Sequence, residues 1–470
     1  MEKKQKRIAL VLFPAAAFLL MLGYAQGLAH IEGLLEGMHL SFLFAALFAG
    51  VLAAYNAMER PGLGRLCFAG GFVFLSLMAR FAMLDFNSAD YDSFLRGWVE
   101  IFRQGGFAML GQNIGDYNLL YQYILLLISR SPLFDLYMIK YVTIVFDYLL
   151  ALSMLRAAGI FAGRQARTPV FLILCILPTT LLDGACWGQC DSVYAFLVIM
   201  SLCDLKTRHP WRSAVFLALA FAFKLQTIFF FPVVLLALLH GEYKPWHALA
   251  FAAAYLVTMI PALAAGRPFL DALSVYANQS MGQYYHRLTY NAPNLYAFFP
   301  MLEFASSQEY TWMRYIEGID GKITNLYLNE DLFPMLQHAA LYACILLVLA
   351  AVIYWLRHRE EITSDMTLNF ALFFAIFLPF VMPKIHDRYF YLADMLSILY
   401  AARRPDRRFV APLTVGASLM SYMAFLTRQR PVDERVLALM MLASLAVTAR
   451  DLLTDMRKNR VKGGTIDATA

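Results

Sequence analysis

The chain has 470 residues, is 60% hydrophobic and only 15% charged, and has a mean hydropathy of +0.57. Soluble domains carry about 25% charged residues, and a soluble chain of this length needs the polar surface of several domains. That surface is missing, and 38 Phe with 26 Tyr exclude disordered or collagen-like chains, so the composition implies an integral membrane protein.

Helices that cross a bilayer need about 20 apolar residues. The apolar runs predict spans at 8–27, 40–57, 66–84, 136–155, 168–182, 188–204, 213–224, 226–240, 246–265, 336–356, 366–382, 389–402, 409–426 and 436–449. The expected fold is therefore all-α and polytopic, with about fourteen transmembrane helices and a range of 11–14. Lys3, Lys4, Lys6 and Arg7 precede the first run as in a signal peptide, but its length and lack of a small-residue cleavage site favour an uncleaved helix. The six cysteines suggest no metal site. Four stand alone in apolar runs, and Cys186-Trp-Gly-Gln-Cys190 lacks the second pair of a structural zinc site.

Lys and Arg collect in cytoplasmic loops. With the N-terminus inside, the inner loops hold Arg60 and Arg65, then Arg156, Arg164 and Arg167, then Lys206, Arg208 and Arg212. Arg357, Arg359, Arg403, Arg404, Arg407, Arg408 and the tail from Arg450 to Lys462 follow the same rule. Both termini are expected to be cytoplasmic, and the net charge of +6 reads as topology, with no nucleic-acid partner. The expected organisation is an N-terminal hairpin (1–65), a transmembrane catalytic module (66–402), a C-terminal hairpin (403–449) and a basic tail (450–470). Two long loops, 85–135 and 266–335, then face outward, where loops of such length are usually functional. No Walker or GxGxxG loop suggests cytoplasmic nucleotide chemistry.

The first outer loop begins Asp85-Phe-Asn-Ser-Ala-Asp90-Tyr-Asp92-Ser-Phe94. From Asp90 to about Arg103, one stripe holds Tyr91, Phe94, Leu95, Trp98 and Phe102, and the other face holds Asp92, Arg96, Glu100 and Arg103. This predicts an interfacial helix in which Asp92 pairs with Arg96. Asp90 lies on the 90, 94, 98 line and is either a helix cap or a general base toward a hydroxyl. Gly105-Gly106 leads on to Asp116-Tyr117-Asn118 and a second short interfacial helix.

Ionisable groups at membrane depth mark sites by default. Lys140 and Asp147 lie two turns apart on one helix, too far for a direct bond, and each is expected to pair with a neighbouring helix. Asp183-Gly-Ala-Cys-Trp187-Gly188-Gln189-Cys-Asp191-Ser192 places carboxylates, an amide and an indole at an outer turn, where irregular backbone must line a cavity. Lys224-Leu-Gln226 interrupts an apolar run, so Lys224 either faces a polar cavity or snorkels to the interface. Pro383-Lys384-Ile-His386-Asp387-Arg388 gathers three potential cations, which suits a phosphate or, alternatively, lipid headgroups paired with Asp387. The second outer loop adds Asn278, Gln279, Gln283, Tyr284, Tyr285, His286 and Tyr290-Asn291-Ala-Pro-Asn294-Leu-Tyr296, an amide and aromatic mixture suited to sugars.

Taken together, these segments resemble the GT-C superfamily of multi-pass glycosyltransferases, most closely bacterial relatives of the second mannosyltransferase of glycosylphosphatidylinositol biosynthesis. The resemblance rests on Asp90-Tyr-x-x-Phe94-x-x-x-Trp98, Asp116-Tyr-Asn, Trp187-Gly-Gln-x-Asp191-Ser, Phe223-Lys-Leu-Gln226, Asn291-Ala-Pro-Asn-Leu-Tyr and Pro383-Lys-x-His-Asp-Arg-Tyr-Phe-Tyr391, in that order over residues 66–402. His386-Asp387-Arg388 departs from the family's usual His-Glu-Arg, and the loop at Asp116 lacks the paired prolines of relatives.

The resemblance implies an inverting hexosyl transfer, mannose first, from a polyprenyl-phosphate sugar to a hydroxyl of an envelope glycolipid, glycopolymer or glycoprotein. The reaction would take place on the outer face of the plasma membrane, among membrane lipids. It implies that Asp90 is the catalytic base and that Lys384, His386, Arg388 and Lys224 bind the donor phosphate. Asp92, Asp116, Tyr117, Trp187, Gln189, Asp191, Gln226, Asn291 and Asn294 are the expected substrate-binding residues. The resemblance fixes no cofactor, the polyprenyl-phosphate sugar being the donor substrate; some superfamily members engage a divalent cation at the loop aspartates, and these residues leave that open. A lipid-linked sugar flippase and an envelope glycan polymerase or ligase are the alternatives.

Overall fold

A computed structural model describes residues 34–281, 287–299, 301–304, 313–317, 323–328 and 332–467. The expected span at 8–27 and the loop residues Gln283, Tyr284, Tyr285 and His286 lie outside the described residues.

Among the described residues, eight helices are long and apolar enough to cross a membrane, or nine if the bent pair Arg164–Ile176 and Pro178–Trp187 counts as one span. The eight spans are Gly37–Glu59, Leu63–Phe81, Asp135–Phe161, His247–Ala264, Leu332–Arg357, Ser364–Val381, Pro405–Leu426 and Glu434–Arg460. Four further expected spans are shorter helices. Asp191–Lys206, with 16 residues, Pro210–Phe223, with 14, and Tyr391–Arg403, with 13, reach only about 24, 21 and 20 Å at the α-helical rise. Leu225–Leu239 is likewise short. The hydrocarbon core is about 30 Å thick. Asp191–Lys206 and Tyr391–Arg403 are buried along almost their whole length. A helix wrapped in protein is apolar all round for the same reason as one wrapped in lipid, so hydropathy alone does not separate them. By contrast, Leu332–Arg357 buries only Phe333, Cys344 and Trp355 and exposes Met335, Leu346 and Leu349.

Buried polar pins hold the helices in register. Arg80, on Leu63–Phe81, pairs with Asp147 of Asp135–Phe161 at 3.1 Å and donates to the Cys175 carbonyl at 2.7 Å in the bent pair. Lys140 donates to the carbonyls of Met83 (2.8 Å), Leu84 (2.8 Å) and Phe86 (2.6 Å), so it caps the chain as it leaves helix Leu63–Phe81. Both residues thus find partners on neighbouring elements. At the opposite end of these helices, Asp204 binds Arg156 (2.6 Å) and Arg212 (3.1 Å), Glu59 binds Arg167 (2.5 Å), and Asp365 binds Lys206 (2.9 Å). Arg404 and Arg407 join Asp451 and Asp455 of the last helix at this same end.

The long loop expected at 266–335 contains strands, a departure from a purely helical chain. Met301–Phe304, Ile323–Leu328 and Met313–Glu317 form a three-stranded sheet with Ile323–Leu328 in the middle. Thr289–Tyr290 pairs in parallel with Ile385–His386, which ties this loop to the turn after Ser364–Val381.

Candidate active site

Seven separate stretches of the chain meet around a cavity of about 220 Å³. Asp90, Phe94 and Trp98 form one wall, Asp116, Tyr117 and Asn118 a second, and Lys224 and Gln226 a third. Gln189, Tyr290, His386 and Arg388 complete the lining.

Asp90 stands at the start of a π turn, Tyr91–Leu95, that runs into helix Arg96–Gly105. Its side chain makes no capping hydrogen bond, and Ser88 Oγ accepts from the Tyr91 N–H instead. The cap reading is therefore excluded. Asp90 Oδ2 accepts from Trp187 Nε1 at 2.8 Å and Gln189 Nε2 at 2.7 Å, and Arg388 Nη1 lies at 3.4 Å. Oδ1 takes none of these donors. The Gln189 amide is oriented by Tyr117, whose hydroxyl donates to Oε1 at 2.8 Å. Trp187 is held by stacking on Phe425, with centroids 4.3 Å apart and planes at 13°, and the Arg388 guanidinium lies 5.3 Å from its ring centre. Gly188 makes the turn between Trp187 and Gln189 at φ +79°, which a side chain rarely adopts.

The cations come from two breaks. Lys224 is extended (φ −150°, ψ 135°) between helix Pro210–Phe223 and the 3-10 turn Leu225–Phe230, and the break turns its side chain into the cavity wall. Its Nζ lies 2.7 Å from Asp191 Oδ2 and 5.7 Å from the Tyr117 ring centre. Arg388 opens from the 3-10 turn Asp387–Phe390, with Nε 3.7 Å from Asp191 Oδ2.

The third expected cation is neutral. His386 stacks on Tyr290 (4.5 Å, 12°), and burial, reinforced by Arg388 and Lys224, pushes its imidazole down to about 3. It offers one N–H and one lone pair instead of a charge. Burial lifts the neighbouring Asp387 carboxyl to about 7 against the pull of Arg388. Burial also raises Asp116 and lowers Lys384.

The expected site residues separate into two groups. Asp90, Asp116, Tyr117, Gln189, Lys224, Gln226, His386 and Arg388 line the cavity. Asp92 is exposed and accepts from Asn87 at 2.8 Å, not from Arg96. Trp187 and Asp191 lie behind the lining, where Trp187 contacts Asp90 and Asp191 contacts Lys224 and Arg388. Lys384 has φ +62°, donates its N–H to the Leu288 carbonyl at 2.7 Å and lies outside the lining. Asn291 and Asn294 hold the loop. Asn291 Oδ1 accepts from Arg430 at 3.1 Å, and Asn294 Oδ1 accepts from the Tyr296 N–H at 3.1 Å.

The apolar stripe of the first loop also divides. Tyr91, Leu95, Val99 and Phe102 are buried, whereas Phe94 and Trp98 face the cavity beside Asp90. Tyr276 lines the cavity from the short helix Val275–Met281, and no pattern around it marks it out in sequence. A divalent cation between Asp90 and Asp92 does not fit, because Asp92 turns outward and Oδ2 of Asp90 is ringed by donors that include Arg388. Among the described residues no group of three or more His, Cys, Asp or Glu could hold a metal ion.

A family model for glycosyltransferase family 87 matches residues 120–383, more than half of the chain, and includes Trp187, Gln189, Asp191 and Lys224. Asp90 and Arg388 flank the matched stretch on either side. A search of curated proteins returns no match. The apolar helices, the carboxylate and cation cavity and the family match agree, and the chain is a membrane glycosyltransferase that belongs to glycosyltransferase family 87.

Proposed function

We propose that the cavity transfers a hexose, mannose as the first candidate, from a polyprenyl-phosphate donor to a hydroxyl of an envelope glycolipid, glycopolymer or glycoprotein. The observation that carries this reading is the placement of Asp90 and Arg388 on one cavity. A carboxylate with an unengaged oxygen faces the same space as two cations and a neutral imidazole. Asp90 Oδ1 takes the proton of the acceptor hydroxyl, whose oxygen attacks the anomeric carbon as the bond to phosphate breaks. A single displacement inverts the configuration. The departing phosphate gains a negative charge, and Arg388 and Lys224 lie where that charge develops. His386 supplies a neutral hydrogen-bonding group, and Trp98, Tyr117, Tyr290 and Tyr389 offer aromatic faces to a sugar ring.

The basic loops gather at the end of the helices away from the cavity, which supports a cytoplasmic location for that end and an outer-face site in the plasma membrane. The test is to incubate purified protein with polyprenyl-phosphate mannose, glucose or galactose and membrane acceptors, then analyse the glycans by mass spectrometry. Transfer that disappears in Asp90→Asn, while the variant inserts and accumulates normally, supports the reading. Full transfer by Asp90→Asn refutes the base assignment.

A further inference from the structure

Building on the transferase reading of this cavity, we infer that Asp191 is a positioning residue that aims both cavity cations. It is not a substrate contact. Asp191 opens helix Asp191–Lys206 directly after the Gly188 turn, is fully buried and lies outside the cavity lining. Its Oδ2 is 2.7 Å from Lys224 Nζ and 3.7 Å from Arg388 Nε, and both of these side chains do line the cavity.

Arg388 is thereby held between two carboxylates. Its Nε edge faces buried Asp191, and its Nη1 lies 3.4 Å from Asp90 Oδ2. Lys224 is nearly as buried as Asp191, and a charge at such depth needs a counter-charge. Asp183 is also fully buried, but among the described residues it forms no ion pair, whereas Asp191 pairs with both cations.

Without Asp191, Lys224 and Arg388 lose the carboxylate that fixes their side chains at the cavity wall. A residue that merely supports the fold would change the amount of active protein and leave the donor KM unmoved. The contacts of Asp90 with Trp187 and Gln189, and through Gln189 with Tyr117, stay in place when Asp191 is substituted.

The experiment compares wild type, Asp191→Asn, Asp191→Glu and Asp90→Asn, each as purified full-length protein. It measures polyprenyl phosphate binding, and kcat and the donor and acceptor KM with the polyprenyl-phosphate sugar that the wild type uses. For Asp191→Asn the expected result is weaker polyprenyl phosphate binding and a donor KM raised several-fold, with the acceptor KM unchanged, because the two cations no longer hold one geometry toward the phosphate. Asp191→Glu should restore part of the binding. Unchanged polyprenyl phosphate binding and donor KM in Asp191→Asn, or a loss seen only in the amount of folded protein, overturns the inference. A wild type that binds polyprenyl phosphate but transfers none of the three sugars overturns the transferase reading instead, and the binding comparison still decides the role of Asp191.

Discussion

Gln189 Nε2 donates to Asp90 Oδ2 at 2.7 Å while Gln189 Oε1 accepts from Tyr117 at 2.8 Å, so a residue of the turn before helix Asp191–Lys206 orients the carboxylate of the first long loop. The relay fixes the plane of the carboxylate and leaves Oδ1 clear of these donors. Replacing Gln189 with Leu removes a donor, so the carboxylate is less well oriented toward an acceptor hydroxyl, and kcat should fall by about tenfold with little change in donor KM. Steady-state kinetics with the donor varied checks both.

Arg388 offers a planar fork that Lys does not reproduce. Arg388→Lys should raise the donor KM and lower kcat together, because the same group acts on bound phosphate and on the charge that develops as it leaves. A roughly hundredfold loss in kcat/KM corresponds to about 2.7 kcal/mol of transition-state stabilisation. An effect confined to the acceptor KM would count against a phosphate role.

The two titrating neighbours of Arg388 have opposite signs. His386 sits near 3 against an ordinary 6.5, so its contribution to stability is complete above 6.5 and is lost as pH falls toward 3. Asp387 sits near 7 against an ordinary 3.8, so its contribution is complete below 3.8 and is lost as pH rises through 7. Above pH 7 the Asp387 charge also opposes a phosphate at Arg388. The donor KM should rise across pH 7 in the wild type and stay flat in Asp387→Asn, whereas His386→Gln should leave the acidic limb of kcat where it is.

Arg80 and Asp147 are each about 1% exposed, and removing one leaves the other charge buried without its partner. Arg80→Met should cost about 3–5 kcal/mol, read as a lower thermal midpoint in detergent. The double variant Arg80→Met/Asp147→Leu should recover most of that loss, because the isolated charge is gone.

Phe425 touches neither cation nor the cavity, yet it stacks on the indole that donates to Asp90. Phe425→Ala should lower kcat several-fold with little change in donor KM, while Phe425→Leu should keep part of the activity. Equal kcat in all three proteins would show that Trp187 needs no such support.

Much of the site was legible locally because its residues violate the rule of their surroundings. Lys224, Asp191 and Arg388 are charges inside or beside apolar runs, and Asp90 shares a helical line with Phe94 and Trp98. Less was legible where the same composition serves two environments. Four apolar runs form helices shorter than the thickness of the hydrocarbon core, two of them buried along almost their whole length, and hydropathy scores these like lipid-facing ones. Charge state was legible least of all: three basic residues of one turn look equivalent, yet burial beside Arg388 and Lys224 neutralises His386, and the backbone at Lys384 takes it out of the lining.

By itself, the sequence determined that this is a helical membrane protein and which few charges are out of place, since these follow from composition and spacing along the chain. Only the tertiary structure decided what each charge faces. Trp187 and Asp191 became supports because Phe425 and two cations meet them from distant helices. Asp92 turned outward to Asn87 because the π turn rotates it away from Asp90. Direction, burial and partner are properties of packing, and no spacing along one chain encodes them.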